Sequence, residues 1–250
     1  MNTLGIDIGG SGIKGALVNT ETGELATNRI RIPTPQPSRP AAVIKVIKKL
    51  VAEFDYTGPV GIGMPSRILD GVVTSAANID NSWINFPGQQ AIANALGVPV
   101  ALLNDADVAG MAEMHFGAGR GYTGTVMIFT LGTGIGSAMF VNRHLVPNLE
   151  LGHIFMRNQK HDAEAYAADR VRKDADLSWQ AWGERLNAYF QYMEFLFSPR
   201  LFIIGGGVSK KHHKFLKYID VRAQVVPAEL RNEAGIIGAA LAAESGTETV

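Results

Sequence analysis

Leu4-Gly5-Ile6-Asp7-Ile8-Gly9-Gly10-Ser11-Gly12-Ile13-Lys14-Gly15 stands almost at the N-terminus of the chain. Leu4, Ile6 and Ile8 alternate with small or polar residues, the period of a half-buried strand. Gly9, Gly10 and Gly12 then impose a tight turn before a second strand over Ala16 to Val18, which predicts a β-hairpin with an almost bare tip. Consecutive N–H groups at such a tip can converge on an anion, with the Ser11 hydroxyl and the Lys14 ammonium beside them. Asp7 would repel a phosphate unless a cation lay between, so it is a candidate Mg2+ ligand, directly or through water. An ordinary glycine-rich hairpin with Asp7 as a turn residue fits the same twelve residues, and the rest of the chain has to decide.

Size and composition narrow the choice. A chain of 250 residues can bury a sizeable core as one large or two modest domains. Hydrophobic residues make up 46% and charged residues 18%, a globular balance, and no apolar run is long enough to span a bilayer. Met1-Asn2-Thr3 leads straight into the first strand without the basic and apolar stretches of a secretory leader, so a cytoplasmic location is expected. With no cysteine there is no disulfide framework and no thiolate zinc site. The 23 basic and 23 acidic residues cancel, which argues against a nucleic-acid-coating protein and leaves any polyanion to a local patch.

Further along, Glu24 to Ile32 reads as a third strand, and Pro33 to Pro40 as an extended connector into a helix capped by Ser38. Val60 to Met64 is a short apolar strand, and Ala76 to Pro87, carrying Asn78, is either a solvated connector or a ligand-facing loop. Val98 to Leu103 has the length of a buried strand and delivers Asn104-Asp105-Ala106-Asp107 to its end, ahead of a helix from Val108 to Phe116. Ligands gather at the carboxyl ends of such strands; an aspartate there can also be a helix cap, and Asp107 can serve as that cap, leaving Asp105 for chemistry.

Thr123 to Val141 repeats the opening. Val126 to Leu131 is a strand, Gly132-Thr133-Gly134-Ile135-Gly136 a glycine turn and Ser137 to Val141 a return strand, with Thr130 in the place of Asp7. Two such hairpins predict two related α/β halves, each offering a backbone nest to one phosphate chain. Glu150-Leu151-Gly152-His153 places a carboxylate and an imidazole three apart, where they can meet one polar ligand; a lone turn histidine is also commonly structural. Glu164 is the carboxylate of the following polar segment, Asn158 to Asp176, best placed to return toward that ligand. A long amphipathic helix begins near Ser178, its aromatic stripe (Trp179 to Phe197) read as core. Leu201 to Ile204 is a buried strand delivering Gly205-Gly206-Gly207, where a flat or anionic group can approach closely. The basic segment after it, Lys210 to Lys217, fits a solvated helix face as well as an anion track, and Gly235 to Ala243 is a small-residue helix suited to close packing.

In their order and spacing, the Ile6–Gly15 element, Leu103-Asn104-Asp105-Ala106-Asp107, Thr130–Gly136, Glu150-Leu151-Gly152-His153 and Gly205-Gly206-Gly207 resemble the ROK sugar kinases, and most of all their polyphosphate-using glucokinase branch. The resemblance covers nearly the whole chain. It implies an actin/hexokinase-like (ribonuclease H-like) duplicated fold with two α/β domains flanking a cleft: 1–106 joined by a C-terminal helix over about 236–250, and 107–235. It implies Asp105 as the general base for the 6-hydroxyl of glucose, with Asn78, Asn104, Glu150, His153 and Glu164 gripping the sugar. The donor, polyphosphate or ATP with Mg2+, would be held by Asp7, Gly9, Gly10, Ser11, Gly12, Lys14, Thr130, Gly132, Thr133, Gly134, Gly205, Gly206 and Gly207. Arg157, Lys160, Arg170, Arg172, Lys173, Lys210, Lys211, Lys214 and Lys217 are candidates for the wall of a polyphosphate track.

Departures from the family pattern are also visible. The cysteine-rich zinc element that many ROK kinases carry after the histidine is missing from Gln159 to Asp174, so His153 is not expected to bind zinc. Ser66-Arg67 and Ile84-Asn85-Phe86 stand where small residues are usual. The competing expectations are an ATP-dependent kinase for glucose, mannose or an amino sugar and, from a different class, a sugar-sensing ROK regulator or a non-catalytic sugar-binding protein. The family also implies a homodimer.

Overall fold

The computed structural model describes residues 1–157 and 159–245, and the chain divides into two compact units. The first comprises Met1–Phe116 together with the chain from Glu233 onward. Its sheet is built from β1 (Asn2–Gly9), β2 (Gly12–Asn19), β3 (Glu24–Leu25), β4 (Ile30–Ile32), β5 (Val60–Met64) and β8 (Val100–Asn104). The order is β3-β2-β1-β5-β8, with β4 also on β2. Between them lie α1 (Pro40–Ala52), the small hairpin β6 (Ile68–Leu69) and β7 (Val72–Val73), and α2 (Gly88–Leu96); α3 (Asp105–His115) follows β8. The first hairpin is as read: Gly9 pairs with Gly12, leaving Gly10-Ser11 as the turn. β1, β5 and β8 run parallel, with Asp7 level with Gly63 and Gly63 level with Leu103.

Two features of this unit correct the sequence reading. Glu24 to Ile32 is not one strand: β3 and β4 both pair with β2 but are separated by residues 26–29, with a bend at 26–27. Ser38 does not cap α1. The residue before the helix is Arg39, without a side-chain cap, while Ser38 uses its hydroxyl and carbonyl to receive the Asp80 amide and the Trp83 indole N–H.

Leu4, Ile6 and Ile8 bury one face of the sheet against Val43, Ile47 and Leu50 of α1. The last helix, α7 (Ala234–Glu244), lies on β1 and β5 and against α3 at backbone distance. A Cβ on Gly5 would stand 1.9 Å from the Ile236 carbonyl oxygen, and one on Gly238 1.6 Å from that of Val108. This packing holds α3 and α7 in the first unit, which continues to Phe116. Residues 246–250 of the expected C-terminal helix lie outside the described residues, as does Asn158.

The second unit, Gly117–Asn232, has the same plan. β9 (Thr125–Leu131) and β10 (Ile135–Val141) form an antiparallel hairpin, β11 (His144–Val146) extends its edge, and β12 (Leu201–Gly205) and β13 (Gln224–Pro227) add parallel strands, in the order β11-β10-β9-β12-β13. α4 (Ala163–Ala167) and α5 (Asp169–Asp174) precede the long α6 (Trp179–Phe197), which Ser178 caps through the Ala181 amide. Trp182, Leu186, Tyr189, Phe190 and Met193 of α6 are buried against Phe129 and Phe202, so most of the aromatic stripe is core; Leu196, in contrast, is 46% exposed. No described helix is long and apolar enough to cross a membrane.

Candidate functional site

In the first unit the candidate residues meet at the carboxyl edge of β1, β5 and β8, where parallel α/β sheets place ligands. Cross-strand pairing sets Lys14 beside Asp7, and Lys14 Nζ donates to Asp7 Oδ2 at 3.0 Å. Lys14 therefore balances the carboxylate expected to hold a cation. Gly9, Gly10 and Gly12 do not adopt positive φ; at Gly9, where a Cβ would stand 3.2 Å from the Gly12 carbonyl oxygen, space rather than backbone freedom favours glycine. A Cβ on Gly12 would stand 2.4 Å from Arg31 Nε, and one on Gly10 would have the Asn78 carbonyl oxygen at 3.7 Å. Asn78 thus flanks the turn, with its side chain exposed.

Asp105 is half-buried at the first position of α3, and its Cα lies 3.7 Å from where a Gly63 Cβ would be. The helix is capped by Asn104, whose Oδ1 accepts from the Ala106 and Asp107 amides at 2.8 and 3.3 Å. The expectation that Asp107 caps the helix is wrong, because the chain enters helical geometry three residues earlier than the apolar spacing suggests. Asn104 is consequently committed to structure: Nδ2 also donates to the Ser66 carbonyl at 3.2 Å, which leaves one amide proton for a ligand. Ser66, a residue that sequence reasoning noted only as a departure, keeps a buried hydroxyl without a partner among the described residues.

In the second unit, Gly132-Thr133-Gly134 links β9 to β10, and β12 brings the triple glycine alongside, since Gly205 pairs with Thr130. Gly206 has φ +80°, and a Cβ there would stand 2.3 Å from the Leu131 carbonyl oxygen, so only glycine fits. Two neighbouring segments hold this turn: the Arg170 amide donates to the Gly132 carbonyl, and Glu164 Oε2 accepts from the Ile135 amide at 2.9 Å. Glu164 therefore packs on the glycine turn itself. Gly152 sits on Ile135, where a Cβ would be 2.4 Å from the carbonyl oxygen, which fastens Glu150 and His153 next to the same turn. Tyr189 supports that segment by donating to the Leu151 carbonyl at 3.1 Å, and burial pushes its phenol pKa well above the ordinary value. Thr130, Gly132–Gly134, Glu150, His153, Glu164 and Gly205–Gly207 are thus neighbours within one unit.

Asp162 is the residue that the sequence did not announce. Its Oδ1 caps α4 through the Ala165 amide, while Oδ2 lies 3.0 Å from His153 Nδ1. The hydrogen bond to Asp162 raises the pKa of His153, with further help from the charges of Glu164, Asp162 and Glu150. For Asp162, partial burial pulls upward, yet the His153 and Ala165 hydrogen bonds outweigh it and the pKa falls. A raised imidazole adds stability below its unfolded value and loses it as pH rises through the folded one; a lowered carboxylate loses its contribution as pH falls through its folded value. The pair therefore stabilises most between about pH 4 and pH 6.5. The His153 ring signals, followed by NMR, should titrate above the ordinary imidazole midpoint and return toward it in Asp162→Asn.

The basic segments converge in part. Arg172, Lys214 and Lys211 place their cationic groups 4.1, 5.4 and 5.9 Å from the centroid of the Trp179 ring, which itself stacks on Phe215. Arg172 and Lys173 are also paired with Asp169, at 2.8 and 2.7 Å, which offsets part of their charge.

The model of the ROK family matches residues 3–166. The chain is 44% identical over 245 residues to a polyphosphate glucokinase of Mycobacterium tuberculosis, covering 98% of this chain and 92% of the relative. Among solved structures it is similar to an inorganic polyphosphate/ATP-glucomannokinase from Arthrobacter sp. strain KM, with 47% identity, a TM-score of 0.91 and 98% of each chain covered. It is also similar to a ROK family glucokinase from Streptomyces griseus, solved with glucose and AMPPNP, with 27% identity, a TM-score of 0.84 and 98% and 100% coverage. The architecture is accordingly the actin/hexokinase-like one of the sugar kinases, and the chain belongs to the ROK family.

Proposed function

We propose that this chain is a sugar kinase that moves the terminal phosphoryl group of polyphosphate, or of ATP, onto the 6-hydroxyl of glucose. The observation that carries the proposal is the gathering of the first glycine turn, Asp7 and Asp105 at one sheet edge of the first unit. The polyphosphate glucokinase and glucomannokinase relatives support the same reaction, and the latter supports mannose as a second acceptor.

Phosphoryl transfer asks a protein chiefly for positioning and charge neutralisation. In this reading Asp105 takes the proton from the sugar 6-hydroxyl as that oxygen forms its bond to the terminal phosphorus and the bond to the donor's bridging oxygen breaks. The first unit offers Asn78 and Asn104 to sugar hydroxyls, and the second, taken by itself, offers Glu150, His153 and Glu164; a hydroxyl buried without a partner would cost about 1–3 kcal/mol. In the first unit the donor phosphates rest on the amides of Gly10 and Ser11 with Lys14; in the second, Thr130, Gly132–Gly134 and Gly205–Gly207 form a turn suited to the same chemistry. The basic groups around Trp179 would carry the distal part of a long polyphosphate.

The residues fit Mg2+, which keeps several waters and is held by one or two carboxylates plus substrate phosphates. Among the described residues no cluster of three or more His, Asp or Glu could cage an ion, whereas Asp7 is a single carboxylate beside a phosphate-type turn. Bound there, the ion would neutralise charge on the donor's terminal phosphates. A homodimer and a cytoplasmic location complete the proposal.

The test is formation of glucose 6-phosphate from long-chain polyphosphate and, separately, from ATP, each with Mg2+. Turnover with polyphosphate is expected. Turnover with ATP alone would replace the donor assignment by the ATP-dependent one, and glucose binding without turnover from either donor would leave a sugar-binding protein.

A further inference from the structure

We propose that β4 and the connector after it form a clamp that presets the first glycine turn for the donor, and that Arg31 of β4 is itself a phosphate-binding residue. The proposal rests on the kinase reading for the identity of the donor and goes beyond it in assigning Arg31, Thr34 and Gln36.

Three successive carbonyls of the turn each accept a bond from this one segment. Thr34 Oγ1 donates to the Gly9 carbonyl at 2.5 Å, Gln36 Nε2 to that of Gly10 at 3.4 Å and Arg31 Nη2 to that of Ser11 at 2.6 Å. The C=O and N–H of a trans peptide point in opposite directions. Holding the Gly10 carbonyl against Gln36 therefore turns the Ser11 N–H away from the connector, and holding the Gly9 carbonyl against Thr34 does the same for the Gly10 N–H. Among the described residues nothing accepts from the Gly10 or Ser11 amide. A short turn with free amides would otherwise sample several orientations, and ordering them on binding would weaken the donor's affinity.

Arg31 carries a second property. Cross-strand pairing aligns Asp7 with Lys14 and Lys14 with Arg31 across β1, β2 and β4. Lys14 is paired with Asp7, so the row leaves Arg31 as its uncompensated cation, exposed and with no carboxylate partner among the described residues. Its guanidinium occupies the place where a Gly12 side chain would begin, so a larger residue there would displace it, and it keeps donors beyond those given to Ser11. A planar, permanently charged donor set beside free amides is suited to phosphate oxygens. Gln36, exposed on the same segment, and Thr34, buried beneath the turn, act on the backbone alone.

The experiment uses the full chain and two readouts: calorimetric binding of tripolyphosphate, and initial rates with glucose and either polyphosphate or ATP. Arg31→Gln should weaken tripolyphosphate binding and raise the donor KM about tenfold or more, and flatten the salt dependence of both. Thr34→Val, which removes one hydroxyl at constant shape, should raise the donor KM about three- to tenfold. In both variants kcat should stay within about threefold and the glucose KM should not move. An unchanged donor KM in Arg31→Gln, or a parallel change in the glucose KM and kcat, would overturn the clamp. Tripolyphosphate binding that is lost in Arg31→Gln while the unmodified protein turns over neither donor would uphold the clamp and reject the kinase reading. Absence of both binding and turnover in the unmodified protein would reject both.

Discussion

Asp105→Asn should lower kcat by about 10²–10⁴-fold while glucose binds within about threefold of the unmodified protein. The substitution keeps the shape of the side chain and removes only its ability to accept a proton and its charge. Asp105 is not the cap of α3, a task that the Asn104 side chain performs with two backbone amides, so the helix start survives the change. Loss of a negative charge in the first helical turn costs about 0.3–1 kcal/mol, too little to unfold a domain. The sugar hydroxyl would then have to attack while still protonated, which is the loss that the rate reports. Stopped-flow or coupled-assay kcat, with glucose affinity by calorimetry, separates the two quantities. A kcat reduced by less than tenfold would remove Asp105 from the role of base.

The second large effect falls on stability. Gly61→Ala would place a methyl group 1.6 Å from the carbonyl oxygen and 2.4 Å from the carbonyl carbon of Ala239, both backbone atoms of α7. No side-chain rotation can relieve such a contact, so α7 has to move away from β5 or the substitution has to bend the strand. Overpacking a core costs about 1–3 kcal/mol and more where backbone is in the way; here about 3 kcal/mol or more is expected. That is a large part of the 5–15 kcal/mol typical of a folded domain. Because a Cβ on Gly235 would already stand 3.2 Å from Asp7 Cγ, a shift of α7 also disturbs the carboxylate beside the first turn. Urea unfolding should show the drop, with donor affinity falling alongside it; a loss below about 1 kcal/mol would show that α7 does not pack on β5 as described.

The family could be recognised in the sequence because its marks are local. Alternation in Leu4, Ile6 and Ile8, glycines at the turn and a second copy at Val126–Gly136 specify hairpins through period and backbone space alone, and both hairpins are present in register. The strand that ends at Asn104 and the buried face of α6 follow from the same kind of signal. Arg31, Thr34 and Gln36 escaped notice because their partners are carbonyl oxygens about twenty residues or more away, and a carbonyl has no signature in a sequence. Asp162 escaped for a related reason: its helix-cap role is legible at Ala165, while its bond to His153 depends on a loop that folds back across nine positions.

By itself, then, the order of residues determined most of the strands and helices, where the two bare turns lie, and which carboxylates stand at strand ends, since each depends on neighbours a few positions apart. Tertiary structure decided what those groups touch. It assigned Lys14 to Asp7, Asn104 rather than Asp107 to the start of α3, Glu164 to the second glycine turn, and α7 to the first unit, because the ends of side chains and the approach of two backbones are settled only when distant parts of the chain share one packed space.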